Sequence, residues 1–106
     1  METENKKETF NDIIDGDKPV LIDFFAEWCG PCKLMKPILT ELRQRMGDRI
    51  RILKVDVDRS PVVSSAFEIQ SVPTLMLIKN KNILWRQAGV MQAGQLEQII
   101  SQFLPS

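Results

Sequence analysis

The sequence predicts an α/β fold in which a central mixed β-sheet of four strands is flanked by α-helices. Three observations carry that expectation. Two runs of β-forming residues, Val20 to Phe25 and Ile50 to Val57, are separated by a segment with helical apolar spacing, and a strand-helix-strand order makes their pairing parallel. Two later runs, Leu75 to Ile78 and Ile83 to Ala88, are separated only by the polar stretch Lys79-Asn80-Lys81-Asn82, a hairpin pattern and so an antiparallel pair. Amphipathic stretches near both ends supply helices to cover the sheet. The 106 residues, 43% of them hydrophobic, fit one domain spanning residues 1–106.

Met1 to Lys7 shows no apolar periodicity. Phe10, Ile13 and Ile14 then fall at i, i+3 and i+4, which predicts a short helix closed by Asp15-Gly16-Asp17 and Pro19. Val20 to Phe25 is apolar almost throughout, as a strand buried on both faces should be, and Asp23 is the exception. Beyond Cys32, Met35, Ile38, Leu39, Leu42 and Met46 share one helical face, and Gly47 is placed to end the helix. Pro37 lies inside that pattern. It removes one backbone hydrogen bond and its ring clashes with the Lys33 carbonyl, so a kink is expected just after the second cysteine. Ser60-Pro61 reads as an N-cap followed by proline at the first helical position, opening a short helix through Val62, Val63, Ala66 and Phe67 that Ile69-Gln70-Ser71 ends. Gly89 breaks the last strand. Leu96, Ile99, Ile100, Phe103 and Leu104 form the stripe of a final helix before Pro105.

Composition narrows the function classes. Fourteen acidic and fourteen basic residues cancel without a long run of either sign, so charge alone gives no reason to expect nucleic acid or an anionic membrane as a partner. No apolar run approaches the roughly 18 to 20 residues needed to span a bilayer, and Met1 to Phe10 lacks the apolar core of a secretory signal. The expectation is a soluble, cytoplasmic protein. The chain has two cysteines and no histidine. One chain therefore lacks the four Cys or His ligands of a closed zinc site, and no Cys-His or Ser-His nucleophile can be assembled.

The two cysteines sit in Trp28-Cys29-Gly30-Pro31-Cys32, where the first strand hands over to the helix. In a reducing compartment a C-x-x-C pair beside a βαβ pattern is more often catalytic than structural. Unpaired N–H groups and the helix dipole favour negative charge at a helix N-terminus, and the thiolate is the form that attacks sulfur. The hypothesis is a reversible dithiol/disulfide couple, against two inert thiols or half of an intermolecular metal site. Alkylation of Cys29 followed against pH tests it: behaviour like an ordinary exposed thiol would count against the couple.

Taken together, Val20 to Phe25, Ala26-Glu27-Trp28-Cys29-Gly30-Pro31-Cys32-Lys33, Pro37, Lys54-Val55-Asp56-Val57-Asp58, Val72-Pro73-Thr74 and Gly89, in that order, resemble the thioredoxin family from about Phe10 to Leu104. The resemblance implies that Cys29 attacks a substrate disulfide and Cys32 resolves the mixed disulfide, leaving an intramolecular bridge. It implies that Asp23, desolvated near the second cysteine, accepts a proton from Cys32, with Lys54 as companion cation; otherwise Asp23 is a strand-end polar group and Lys54 snorkels to solvent. It further implies a cis bond before Pro73, and a flat docking patch made by Trp28, Gly30, Pro31, Val72, Pro73, Ala88, Gly89 and Val90, against the alternative that Trp28 is core packing. The family's activity is protein-disulfide reduction, with disulfide-containing client proteins and a flavin-dependent thioredoxin reductase as partners, a monomeric state and no bound cofactor.

Three departures from the family pattern stand out. Met1 to Lys7 is too polar and short for the usual opening strand, so a fifth strand is doubtful. Lys81 rather than glycine follows Asn80, which predicts a longer or differently shaped hairpin turn. Ser71 takes a position where glycine is frequent. Two competing readings remain: a thiol oxidase or isomerase of the same fold, which the Gly30-Pro31 dipeptide disfavours, and a binding subunit of a larger complex that never uses its thiols.

Overall fold

Val20-Leu21-Ile22-Asp23-Phe24-Phe25 presents apolar groups to both sides, and such a strand is stable only with a layer on each face. The computed structural model, which describes residues 8–105, supplies both layers. The helices are α1 (Phe10–Ile14), α2 (Gly30–Lys33), α3 (Met35–Met46), α4 (Pro61–Ala66) and α5 (Ala93–Ser101). The strands are β1 (Val20–Phe25), β2 (Arg51–Asp56), β3 (Thr74–Lys79) and β4 (Asn82–Ala88), in the spatial order β2-β1-β3-β4. β1 pairs parallel with β2 and antiparallel with β3, and β3 pairs antiparallel with β4, so the sheet is mixed as expected.

Alternation along β1 divides the interior in two. Val20, Ile22 and Phe24 pack with Ile14, Val55, Met76 and Ile78 under α1 and α4. On the opposite face Leu21 joins Met35, Leu39, Leu42, Met46, Leu75, Leu77, Leu96 and Ile100 under α3 and α5. Asp23 shares the face of Leu21, because residues two apart on a strand point the same way.

The expected kink is a full interruption: Leu34 separates α2 from α3, and the ring nitrogen of Pro37 has no hydrogen to give the Lys33 carbonyl. Gly47, at φ +58°, ends α3 by donating its N–H to the Arg43 carbonyl. β2 is shorter than Ile50 to Val57 at both ends, and α5 stops at Ser101 although Phe103 and Leu104 still pack against the α3/α5 core. Ser60 precedes α4 without a capping bond from its side chain.

The hairpin turn corrects an expectation. It is not longer: Lys79 pairs with Asn82, leaving Asn80 and Lys81 as a two-residue turn with φ of 51° and 65°. Positive φ at both positions is what a tight type I′ turn demands, and asparagine-glycine is merely its least costly sequence. Here the carbonyls at the end of α1 hold the turn, Gly16 accepting from the Asn80 N–H at 3.0 Å and Ile14 from the Lys81 N–H at 2.8 Å. The doubtful opening strand, Met1 to Lys7, lies outside the described residues.

Candidate active site

β1 ends at Phe25 and the chain turns through Ala26, Glu27 and Trp28 into α2, so the first helical residues sit at the carboxyl end of a central strand. Cys29 is the N-cap of α2, with extended backbone, and Pro31 stands in the first turn, where a missing N–H leaves no bond unmade. The Cys32 N–H donates to Cys29 Sγ at 3.1 Å, so sulfur occupies the place that a serine or aspartate oxygen takes in an ordinary cap. Cys29 and Cys32 are joined in a disulfide, with their Cα atoms 5.3 Å apart.

The sulfurs are less exposed than their positions suggest. Cys29 is 3% and Cys32 5% accessible, so in the bridged form neither is more reachable than the other. Cys29 Sγ lies 3.7 Å from the Val72 carbonyl oxygen, and both cysteines pack with Ala26 beside Phe25, Val57 and Val72. Around this buried bridge the surface is open: Trp28 is 72% accessible, and Gly30 and Pro31 are exposed.

Trp28 is therefore not core packing. Its Nε1–H donates to Asp58 Oδ2 at 2.9 Å, which fixes the indole over the surface. Sequence reasoning assigned Asp58 no role; a partner 30 positions away has no local signal, and only the β1/β2 pairing brings it near. Trp28 and Val72, with Val57 and Ile69, line an apolar cleft of about 140 Å³. The Val72-Pro73 bond is cis, as the resemblance implied.

Gly89 meets this segment by donating its N–H to the Pro73 carbonyl at 2.8 Å, while Ala88 pairs with Thr74. At φ +100° Gly89 holds a backbone that other residues resist, although nothing crowds its Cα. Val72, Pro73, Ala88 and Gly89 are thus brought together, and Val90 follows, half-buried against the α3/α5 core.

Asp23 is fully buried, and neither carboxylate oxygen has a hydrogen-bond partner. Desolvation raises its pKa from 3.8 to about 6, opposed by the positive charge of Lys54. Lys54 is the register partner of Asp23 across β1 and β2. Its ammonium is exposed and lies 4.8 Å from the centre of the Phe25 ring, so it reaches solvent as a snorkelling residue does while its charge is still felt at the carboxyl. Lys54 and Cys32 also line one cleft of about 170 Å³.

Comparison with known proteins agrees with this geometry. The thioredoxin family model matches residues 2–102. A thioredoxin-like protein of Synechocystis sp. is 42% identical over 96 residues, covering 90% of this chain and 91% of the relative. The thioredoxin of Rickettsia prowazekii is 40% identical over 86 residues, covering 81% of this chain and 82% of that one. The structure of oxidized mitochondrial thioredoxin 3 from Saccharomyces cerevisiae superposes with a TM-score of 0.78 at 38% identity, covering 88% of this chain and 86% of that one. A bridged C-x-x-C capping the first helix after a central strand, in a chain so matched along its length, makes the Cys29–Cys32 pair the redox couple of a thiol-disulfide oxidoreductase, and the chain belongs to the thioredoxin family.

Proposed function

We propose that Cys29 is the attacking sulfur and Cys32 the resolving one in the reduction of client protein disulfides. The Cys29 thiolate attacks one client sulfur, and the other client sulfur leaves as a thiolate that takes up a proton. Cys32 then loses its proton to the Asp23 carboxylate and attacks Cys29 Sγ, and the client's second sulfur leaves as a thiolate that takes up a proton as Asp23 gives its own back. Two electrons and two protons pass to the client, and the chain is left with its internal bridge. The observation that carries the assignment is the cap: the Cys32 N–H points at Cys29 Sγ and favours negative charge there over Cys32.

Asp23 suits proton acceptance because its pKa, raised by burial to about 6, lies near that of a working general base, and Lys54 tempers the rise. Trp28, Gly30, Pro31, Val72, Pro73, Ala88, Gly89 and Val90 form the docking surface, where an extended client segment lies against the Val72 backbone. The chain works as a monomer, a single domain over residues 1–106, in the cytoplasm. A flavin-dependent thioredoxin reductase restores the dithiol, and no cofactor is bound because the sulfurs hold the electrons.

Trapping decides the roles of the sulfurs. Cys32→Ser should accumulate a mixed disulfide with an insulin-like client and Cys29→Ser should not; the reverse pattern would exchange the assignments. Equilibration with glutathione decides the direction, since a reductant's couple lies well below that buffer's potential and an oxidase's above it. Gel filtration of the reduced protein checks the monomer.

A further inference from the structure

Lys33, Lys36, Thr40 and Arg43 recur at spacings of three, four and three, which places them in one stripe along α2 and α3. All four are exposed, and Lys54 reaches the same surface from β2. The stripe is a groove. The cleft of about 170 Å³ beside Cys32 is lined by Lys33, Lys36 and Lys54, and a second of about 340 Å³ is lined by Lys36, Thr40, Arg43 and Lys54. The two share Lys36 and Lys54, and neither shares a residue with the apolar cleft between Trp28 and Val72.

Four cations thus converge on a track that begins at the redox couple, in a chain whose net charge is zero. Glu27 is the only carboxylate lining it. Neutralisation happens elsewhere: Arg45 holds Glu41 and Glu97, and Arg51 holds Glu8, whereas among the described residues Lys33, Lys36, Arg43 and Lys54 form no ion pair. Four like charges side by side repel one another, and an anionic partner relieves that cost.

We infer that this stripe is a docking track for an acidic segment of the client, carried near the disulfide to be reduced. The inference rests on the exchange reading of the Cys29–Cys32 couple and adds a class of preferred client to it. Within α3, from Lys36 to Arg43, a helical rise of about 1.5 Å per residue gives a length of about 10 Å, which about three extended residues cover at about 3.3 Å each. The preferred client therefore carries a short run of Asp or Glu beside its cystine.

Two model peptides with the same internal disulfide, one flanked by an Asp/Glu run and the other by the matching Asn/Gln run, test this in stopped-flow reduction by the full chain. At low salt the acidic peptide should react about tenfold faster, and the ratio should approach one at about 1 M salt, where the screening length is about 3 Å. Lys36→Glu and Arg43→Glu should each bring the low-salt ratio to one or below, while Lys81→Glu, the same charge change at the hairpin turn, keeps it. Equal rates for both peptides with the wild type would overturn the track, as would an equal loss with Lys81→Glu, which would trace the effect to net charge. Binding of a single-stranded oligonucleotide that Lys36→Glu abolishes, without peptide preference, would assign the stripe to nucleic acid and overturn it too. Reduction of neither peptide would sink the exchange reading and this inference with it.

Discussion

Asp23 is the residue on which chemistry and stability pull in opposite directions. A carboxyl whose pKa is raised from 3.8 to about 6 holds its proton more tightly in the fold than in the unfolded chain. Its contribution therefore favours folding most below pH ~4 and is lost as pH rises through about 6, a difference of about 3 kcal/mol between the two limits. Asp23→Asn should accordingly be more stable than the wild type at pH 8 by about that amount in chemical denaturation, with the gap closing toward pH ~4. The kinetic cost should appear in one step. With the proton acceptor gone, resolution of the mixed disulfide should slow by about a hundredfold while its formation changes little, and in the wild type the resolving step should slow below about pH 6. Equal slowing of both steps would remove Asp23 from the role proposed. Cys29, Cys32 and Asp23 were legible from the chain because each breaks a local pattern: two thiols three apart at a strand end, and one carboxylate in an apolar run. Asp58, tied to Trp28, was not, because its partner lies 30 positions away; nor was the Val72 carbonyl beside Cys29 Sγ, which is 43 positions away.

At the scale of elements, periodicity together with cap and turn residues located the described strands and helix cores, and the misreadings fell where one element is finished by another. The hairpin turn is the clearest instance. Lys81 at φ 65° resembles an error of turn chemistry until the Ile14 carbonyl that receives its N–H is seen. Backbone strain still remains at that position, since a left-handed conformation costs a residue with a Cβ about 1 kcal/mol relative to glycine. Lys81→Gly should raise stability by up to about 1 kcal/mol, read as a higher denaturation midpoint at unchanged slope. A lower midpoint would mean that the Lys81 side chain, and not its backbone alone, supports the turn. The break at Leu34 was legible as a kink because Pro37 advertises it, yet its completeness was not. α2 is left as a four-residue turn with its own sulfur cap. The twelve-residue α3 carries the packing instead, with Met35, Ile38, Leu39, Leu42 and Met46 buried. Reactive turn and load of burial are thus on separate elements. Arg86 ties β4 to the end of α4 by donating to the Phe67 and Glu68 carbonyls at 2.8 and 3.3 Å, a link no periodicity announces.

For the molecule as a whole, two apolar layers hold the sheet and the redox couple sits where β1 leaves them. Stability should follow burial and not surface charge. Leu42, fully buried between α3 and the sheet, should cost about 2 to 5 kcal/mol when cut to alanine, because a cavity remains where its methyls were. Arg51→Ala, which breaks a two-bond ion pair with Glu8 at the sheet edge, should leave the denaturation midpoint almost unmoved, since solvent and salt screen that pair. A reversal of that order would show the edge, and not the core, to be the weak point. The mixed sheet and its two layers were legible because both faces of β1 are apolar. The basic stripe was not read from the sequence, since its meaning depends on Lys54 arriving from another strand. Asp23 stands isolated in a chain without histidine. Burial sets its own proton exchange near pH 6. Calorimetry of client mixing, repeated in buffers of different ionisation heat, would therefore register the Asp23 proton in mildly acid solution on top of those that the exchanged thiols take up or release.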